Sequence, residues 1–279
     1  MTDLQTRVVA GTIFGILLIG SILLKEWAFP PLLVFIMITG LWEYSRMMKA
    51  SGIAVNSLFI YLSNLLVFFA CIYFPFSESA LGISSTEILY FSAAFLALLF
   101  LLFAMELFHP HPNPAGNIGS SLLSVFYIGL PLGLLLLCSI DLTGRFDPAR
   151  ILFFFFFMWA SDTGAYFTGR AFGKRKLLER LSPKKTVEGF IGGAITAMLT
   201  GIAAWYFIGG IPVWGWMLCG IFLSVSATLG DLVESMFKRQ AGIKDSGNIM
   251  PGHGGILDRF DSAFLSAPVY FVILKIFTI

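Results

Sequence analysis

The chain has 279 residues, of which 57% are hydrophobic, 16% aromatic and only 12% charged. A soluble domain carries about 25% charged residues, and none of this length has enough interior to hide so much apolar surface, so lipid must be the solvent for most of it. The net charge of +2 says little about partners; the distribution of charge along the chain says more.

A spanning helix needs roughly 20 mostly apolar residues. Nine windows qualify, at about 8–24, 29–48, 57–74, 88–108, 120–140, 151–170, 188–208, 213–233 and 260–279. The first is read as a retained helix, because no small-residue cleavage site with a polar mature region follows it. Lys25, Glu26 and Trp27 alone separate it from the second, so the two form a tight hairpin, and Pro30 and Pro31 suit the start of the second. Cys71, Cys138 and Cys219 lie far apart in apolar runs and are read as small buried hydrophobes, not as a metal or disulfide framework.

With nine crossings, the N-terminal side of the membrane receives Arg7, Arg46, Lys49, Arg170, Lys174, Arg175, Lys176, Arg180, Lys184, Lys185, Lys238, Arg239, Lys244 and Arg259. The other side receives Lys25, Arg145, Arg150 and Lys275, a ratio of 14 to 4. Positive charge concentrates on the cytoplasmic side, so the N-terminus is expected there and the C-terminus on the far side. The predicted fold is all-α: a polytopic integral membrane protein of about nine transmembrane helices. Residues 1–150 are expected to serve as scaffold and lipid entry, and residues 151–279 as a catalytic region with long cytoplasmic loops at 171–187 and 234–259.

Ionisable groups within a span are costly and are functional candidates by default. Asp162 lies inside the sixth window, Asp231 and Glu234 end the eighth, and Asp258 and Asp261 open the ninth. All five fall near the cytoplasmic side. Asp231 and Glu234 are three apart and share a helix face, as do Asp258 and Asp261. Two such faces turned toward each other make an oxygen-rich box, and close carboxylates repel unless a cation stands between them. Oxygen ligands without a His or Cys cluster favour a hard ion such as Mg²⁺. Glu43, Glu106 and Glu188 also lie near this side, but local pairing or a first-turn helix position accounts for them, and none is expected to be a ligand.

Two loop segments add cations and glycines. In Ser182-Pro183-Lys184-Lys185-Thr186, Pro183 suits a helix start or turn, with lysines and a hydroxyl beside free backbone N–H groups, an arrangement that binds phosphate. In 251–255, three glycines immediately before the Asp258 helix let backbone amides approach an anion. Lys244 and Asp245 stand on one side of that turn and Arg259 on the other. His253 is expected to donate to a phosphate or base, or to hold the loop. His109 and His111, set among prolines, are read as a stiff loop.

The stretch from Ser235 to Asp261, SMFKRQAGIKDSGNIMPGHGGILDRFD, resembles the signature of the phosphatidate cytidylyltransferases, or CDP-diacylglycerol synthases. Met250 stands where that pattern prefers Leu, Ile or Phe. The Ser161-Asp162-Thr163-Gly164-Ala165-Tyr166 and Ser182–Gly189 elements resemble the family too, so the likeness covers roughly the half of the chain from Trp159. The resemblance implies a Mg²⁺-dependent membrane enzyme, with a second cation as an option, that acts as a homodimer. It makes CDP-diacylglycerol and pyrophosphate from CTP and phosphatidic acid, with its site facing the cytoplasm of a bacterial inner membrane. Partners would be these substrates and membrane lipids, not nucleic acid. It implies catalytic roles for Asp231, Asp258, Asp261, Lys238, Arg239 and Lys244. Substrate contacts would come from Ser182, Lys184, Lys185, Thr186, His253, Gly254, Gly255, Arg259 and Asp162. Metal ligation would fall to Asp231 and Asp258, with Asp261 and Glu234 close by.

Two rival readings use similar residues. A CTP-dependent polyprenol or phytol kinase would pass a γ-phosphate to an alcohol and would need a base near that hydroxyl. A transporter would carry acids at mid-bilayer and broken helices in matching halves, whereas here the acids gather at one interface.

Overall fold

A computed structural model of the protein describes residues 3–80, 85–109, 111–141, 143–249 and 254–278. The expected site residue His253 and the neighbouring Met250, Pro251 and Gly252 lie outside them. Ten α-helices and one small hairpin make up the described chain. The helices are α1 (Asp3–Leu23), α2 (Phe29–Ala50), α3 (Ser57–Ala80), α4 (Ser85–Phe108), α5 (Pro114–Ser124), α6 (Leu130–Cys138), α7 (Pro148–Phe172), α8 (Val187–Ile208), α9 (Val213–Gln240) and α10 (Leu257–Thr278). A single 3-10 turn, Lys25–Trp27, links α1 to α2. Among the described residues seven helical segments are long and apolar enough to cross a membrane, and two shorter apolar helices, Val8–Leu23 and Ser57–Tyr73, fall on the first and third sequence windows.

Helices in lipid gain little from burying apolar surface against one another, so they associate through close packing and interhelical hydrogen bonds. The C-terminal bundle shows this. Thr196 Oγ1 of α8 donates to the Ala160 carbonyl of α7 at 2.8 Å. Ser161 and Ser224 join α7 to α9 at 2.7 Å, and Ser226 donates to Ser266 of α10 at 3.0 Å. These bonds lie within about two turns of Asp162, Asp231 and Asp261, so they set the level at which the acids meet. Buried aromatic rings, among them Phe154, Phe157, Phe260, Phe264 and Trp216, fill the space between the helices. Cys138 and Cys219 are buried, and all three cysteines are free.

The segment expected as an open loop at 171–187 is ordered differently. Strands β1 (Lys176–Leu178) and β2 (Ser182–Thr186) pair antiparallel, with Lys176 opposite Thr186 and Leu178 opposite Ser182. Pro183 therefore sits inside a strand and does not start a helix. A two-stranded ribbon is all edge, where a residue without an N–H is tolerated. The helix start falls instead at Val187, where Thr186 caps α8 by accepting from Gly189 N at 3.1 Å. Glu188 then accepts from the amides of Lys174 and Arg175 at 3.0 and 3.1 Å, which pins the hairpin to α8.

Candidate active site

The acids of α9 and α10 meet near the ends of these helices that adjoin the 241–256 connection. Gly230 permits the approach: a Cβ there would collide with the carbonyl of Asp261. Asp231 follows Gly230 directly, so this contact brings the Asp231 and Asp261 positions together. Glu234, one turn along α9 from Asp231, is fully buried. Neither of its oxygens has a hydrogen-bond partner among the described residues.

Two lysines stand against this group. Lys238 Nζ lies 2.6 Å from Asp258 Oδ1 and 3.3 Å from Glu234 Oε2, the second contact spanning one helical turn. Lys185 Nζ, carried by the hairpin, lies 2.5 Å from Asp231 Oδ2. The structure thus brings Asp231, Glu234, Asp258, Asp261, Lys185 and Lys238 to one place.

Asp258 is engaged more fully than the sequence suggested. Its Oδ2 accepts from Ser246 N at 2.8 Å, Ser246 Oγ at 2.9 Å and Gly255 N at 2.8 Å. Oδ2 thus ties the connection between α9 and α10 to the start of α10, while Oδ1 meets Lys238 of α9. The Gly255 amide, expected to face a phosphate, is used in this bond. Gly254 adopts φ +81°, and a Cβ on it would strike Asp258 Oδ2. Arg239, Lys244 and Arg259 are exposed around this core. Arg239 reaches the Ile243 carbonyl at 3.4 Å.

Beside the carboxylates, α7, α8, α9 and the hairpin enclose a half-open cavity of about 390 Å³. Asp162, Tyr166, Arg170, Lys184, Lys185 and Thr228 line it. Lys184 points from the exposed hairpin, while Ser182 takes its place in β2 and Thr186 is held as the α8 cap. Lys185 belongs to both places: it lines the cavity and its ammonium rests on Asp231.

Glu43 is where the sequence reading fails. Expected to pair locally, this fully buried α2 residue accepts from the amides of Ile256 at 3.0 Å and Leu257 at 2.9 Å, and from Ser246 Oγ at 3.2 Å. A carboxylate at those amides satisfies donors that α10 cannot pair internally and complements its dipole. Gly255 is small for the same reason, since a Cβ there would overlap both Glu43 oxygens. Glu43 was legible by the rule that flagged Asp162, as an acid within an apolar window. Ser246 carried no signal beyond following Lys244 and Asp245. Glu106 does pair locally, with Asn117 at 2.7 Å and His111 at 3.1 Å.

Among the described residues no three His, Cys, Asp or Glu side chains form a ready-made metal cage. Lys185 and Lys238 occupy the carboxylate oxygens that would face such an ion. The donor set still fits a hard cation. Its members are oxygens, and Glu234 Oε1 is buried with no hydrogen-bond partner among the described residues, while Oε2 has only the Lys238 ammonium at 3.3 Å.

Apolar spans that enclose carboxylates, with lysines between them and a cavity rimmed by basic residues, make an integral membrane protein with a site suited to phosphate esters. A sequence profile of the cytidylyltransferase family matches residues 5–277. The phosphatidate cytidylyltransferase of Bacillus subtilis (strain 168) is 34% identical over 280 residues, covering 100% of both chains. The Staphylococcus haemolyticus enzyme of that name is 50% identical over 125 residues, 44% of this chain and 48% of the relative. That of Staphylococcus saprophyticus is 46% identical over 154 residues, 55% of this chain and 57% of the relative. The chain belongs to the cytidylyltransferase family.

Proposed function

We propose that the protein is a phosphatidate cytidylyltransferase, converting CTP and phosphatidic acid to CDP-diacylglycerol and pyrophosphate. Its family membership and the full-length likeness to a relative of that name support the reading. The observation that carries it is the position of Lys185, whose ammonium joins the cavity to the carboxylate cluster at Asp231.

In the reaction, a phosphate oxygen of phosphatidic acid bonds to the α-phosphorus of CTP, and the bond from that phosphorus to the bridging β-oxygen breaks. A phosphate monoester has a second pKa near ~6, so the nucleophile is mostly ionised at neutral pH and needs little help from a base. The difficulty is to bring two polyanions together. Lys184, Lys185 and Arg170 at the cavity would take the lipid phosphate, with its acyl chains left among the helices. Lys238, Arg239, Lys244 and Arg259 would take the triphosphate. Asp231, Asp261 and Glu234 would hold Mg²⁺; Asp258, expected from the sequence as a ligand, has its oxygens engaged by Lys238, Ser246 and Gly255 and would instead keep the connection in shape. A divalent ion there would supply neutralising charge to the leaving phosphates. Lys185 and Lys238, which now pair with Asp231, Asp258 and Glu234, would turn their charge toward the phosphates.

The 14-to-4 bias of basic residues supports a site on the cytoplasmic face, and the bacterial relatives support the inner membrane. The same reading takes the enzyme to act as a homodimer, which cross-linking in native membranes checks. The decisive assay incubates purified protein with labelled CTP and phosphatidic acid, with and without EDTA. The expected result is a lipid-soluble cytidine nucleotide with release of pyrophosphate. Release of CDP in place of pyrophosphate would replace this reading with a kinase.

A further inference from the structure

The N-terminal part of the chain brings a second side chain to the carboxylates, and nothing above uses it. Between α5 and α6 the helix from Pro114 to Cys138 contains one π turn, Val125–Gly129. The cause is local. Pro131 has no N–H to give to the carbonyl of Tyr127, four residues back, and the Leu130 amide bonds to Val125, five residues back. Such turns inside α-helices recur at functional sites. This one delivers Tyr127 inward while Phe126 stays 63% exposed on the outer face.

The Tyr127 ring is wedged against Phe237, edge-on at 5.5 Å, and Phe264, tilted at 5.4 Å. Phe237 follows Glu234 by three residues and Phe264 follows Asp261 by three, so each pair lies on one helix face. The ring is therefore clamped by the faces that carry the acids. The side chain is 4% exposed, yet its hydroxyl has no hydrogen-bond partner among the described residues. Glu234 Oε1 has none either, and Glu234 Oε2 has only the Lys238 ammonium at 3.3 Å. A buried hydroxyl without a partner, held by rings one turn from a buried carboxylate whose only cation among the described residues is Lys238, calls for a small polar occupant.

We propose that Tyr127 is a positioning residue of the cation site: Glu234 attracts a hydrated divalent ion by charge, and the Tyr127 hydroxyl hydrogen-bonds to a water of that ion's hydration shell. The inference rests on the reading of Asp231, Glu234 and Asp261 as a cation site. Mg²⁺ keeps several of its waters when bound, and groups that hold such an outer shell tune affinity about 10- to 100-fold.

The test uses the full-length protein in lipid nanodiscs and titrates Mn²⁺ alone, with free ion followed by electron paramagnetic resonance. Tyr127→Phe removes one oxygen and keeps the ring packed. It is expected to weaken Mn²⁺ binding about 10-fold while leaving the thermal midpoint in EDTA unchanged. Phe126→Leu, on the outer face of the same turn, is expected to bind Mn²⁺ as the wild type does. Equal affinity in Tyr127→Phe and wild type would overturn the proposal and leave the cation site standing. Equal weakening by Phe126→Leu would assign the effect to the shape of the turn and also overturn it. A wild-type protein that binds no Mn²⁺ would remove the cation reading and this inference with it.

Discussion

The Lys185 ammonium lies 2.5 Å from Oδ2 of Asp231, and through that contact the hairpin between α7 and α8 is fastened to α9. The pair is about one-third exposed at both ends, 33% for the lysine side chain and 29% for the aspartate. Ion pairs that water still reaches contribute only about 0–1 kcal/mol, so stability alone does not explain its position between cavity and carboxylates.

Lys185→Met should accordingly leave the thermal midpoint of the purified protein within a few degrees of wild type, a change of about 1 kcal/mol or less. Its kcat/KM for phosphatidic acid should fall by about 10²-fold or more, as expected when a charge that stabilises transferring phosphates is lost. A variant that unfolds early yet turns over normally would show the pair to be a structural staple.

Asp258→Asn removes the charge that Lys238 meets and places an amide N–H₂ near donors. Turnover should fall at least ~10²-fold, with membrane insertion intact. Limited proteolysis within 241–256 should accelerate, because the bonds from Ser246 and Gly255 weaken. Full activity at ordinary Mg²⁺ would exclude Asp258 from the site's working parts.

Glu43→Gln keeps the volume but turns a donor toward the Ile256 and Leu257 amides. Hydrogen bonds to a charged acceptor are worth about 1.5–3 kcal/mol each, so the variant should lose roughly that much stability in detergent unfolding. Its kcat should fall with little change in the KM for CTP, because Glu43 touches the connection and no substrate. A raised KM with unchanged kcat would instead place Glu43 against a ligand.

Narrowing the cavity separates the two substrates. Ala165→Leu adds a side chain among Asp162, Arg170 and Lys185, and should raise the KM for phosphatidic acid about 10-fold, a loss of ~1.4 kcal/mol. The KM for CTP should stay within twofold. A matching rise for CTP would assign the cavity to the nucleotide.

The spans, the basic bias and the convergence of Asp231, Glu234, Asp258 and Asp261 were legible because hydropathy, charge and three-residue spacing are local properties of the chain. The hairpin was not, since Leu178 to Ser182 carries none of the Asn-Gly or Asp-Gly dipeptides that announce a tight turn and Pro183 pointed to a helix start. Glu43 was seen but misjudged. Its partners lie more than 200 residues away, and one sequence does not reveal which distant amides a buried acid will meet. Tyr127 left a faint trace, a proline four residues on. That spacing marks a broken helical bond but not the direction in which the freed turn will aim its ring.

The reach of Glu43 from α2 to the first amides of α10 means that the back half of the gene does not suffice on its own. A fragment holding every residue of the 235–261 signature would still lack the acid that seats α10, so it would insert into the bilayer and remain inert. Supplying the missing front half as a separate polypeptide should restore synthesis to whatever extent the two pieces find each other.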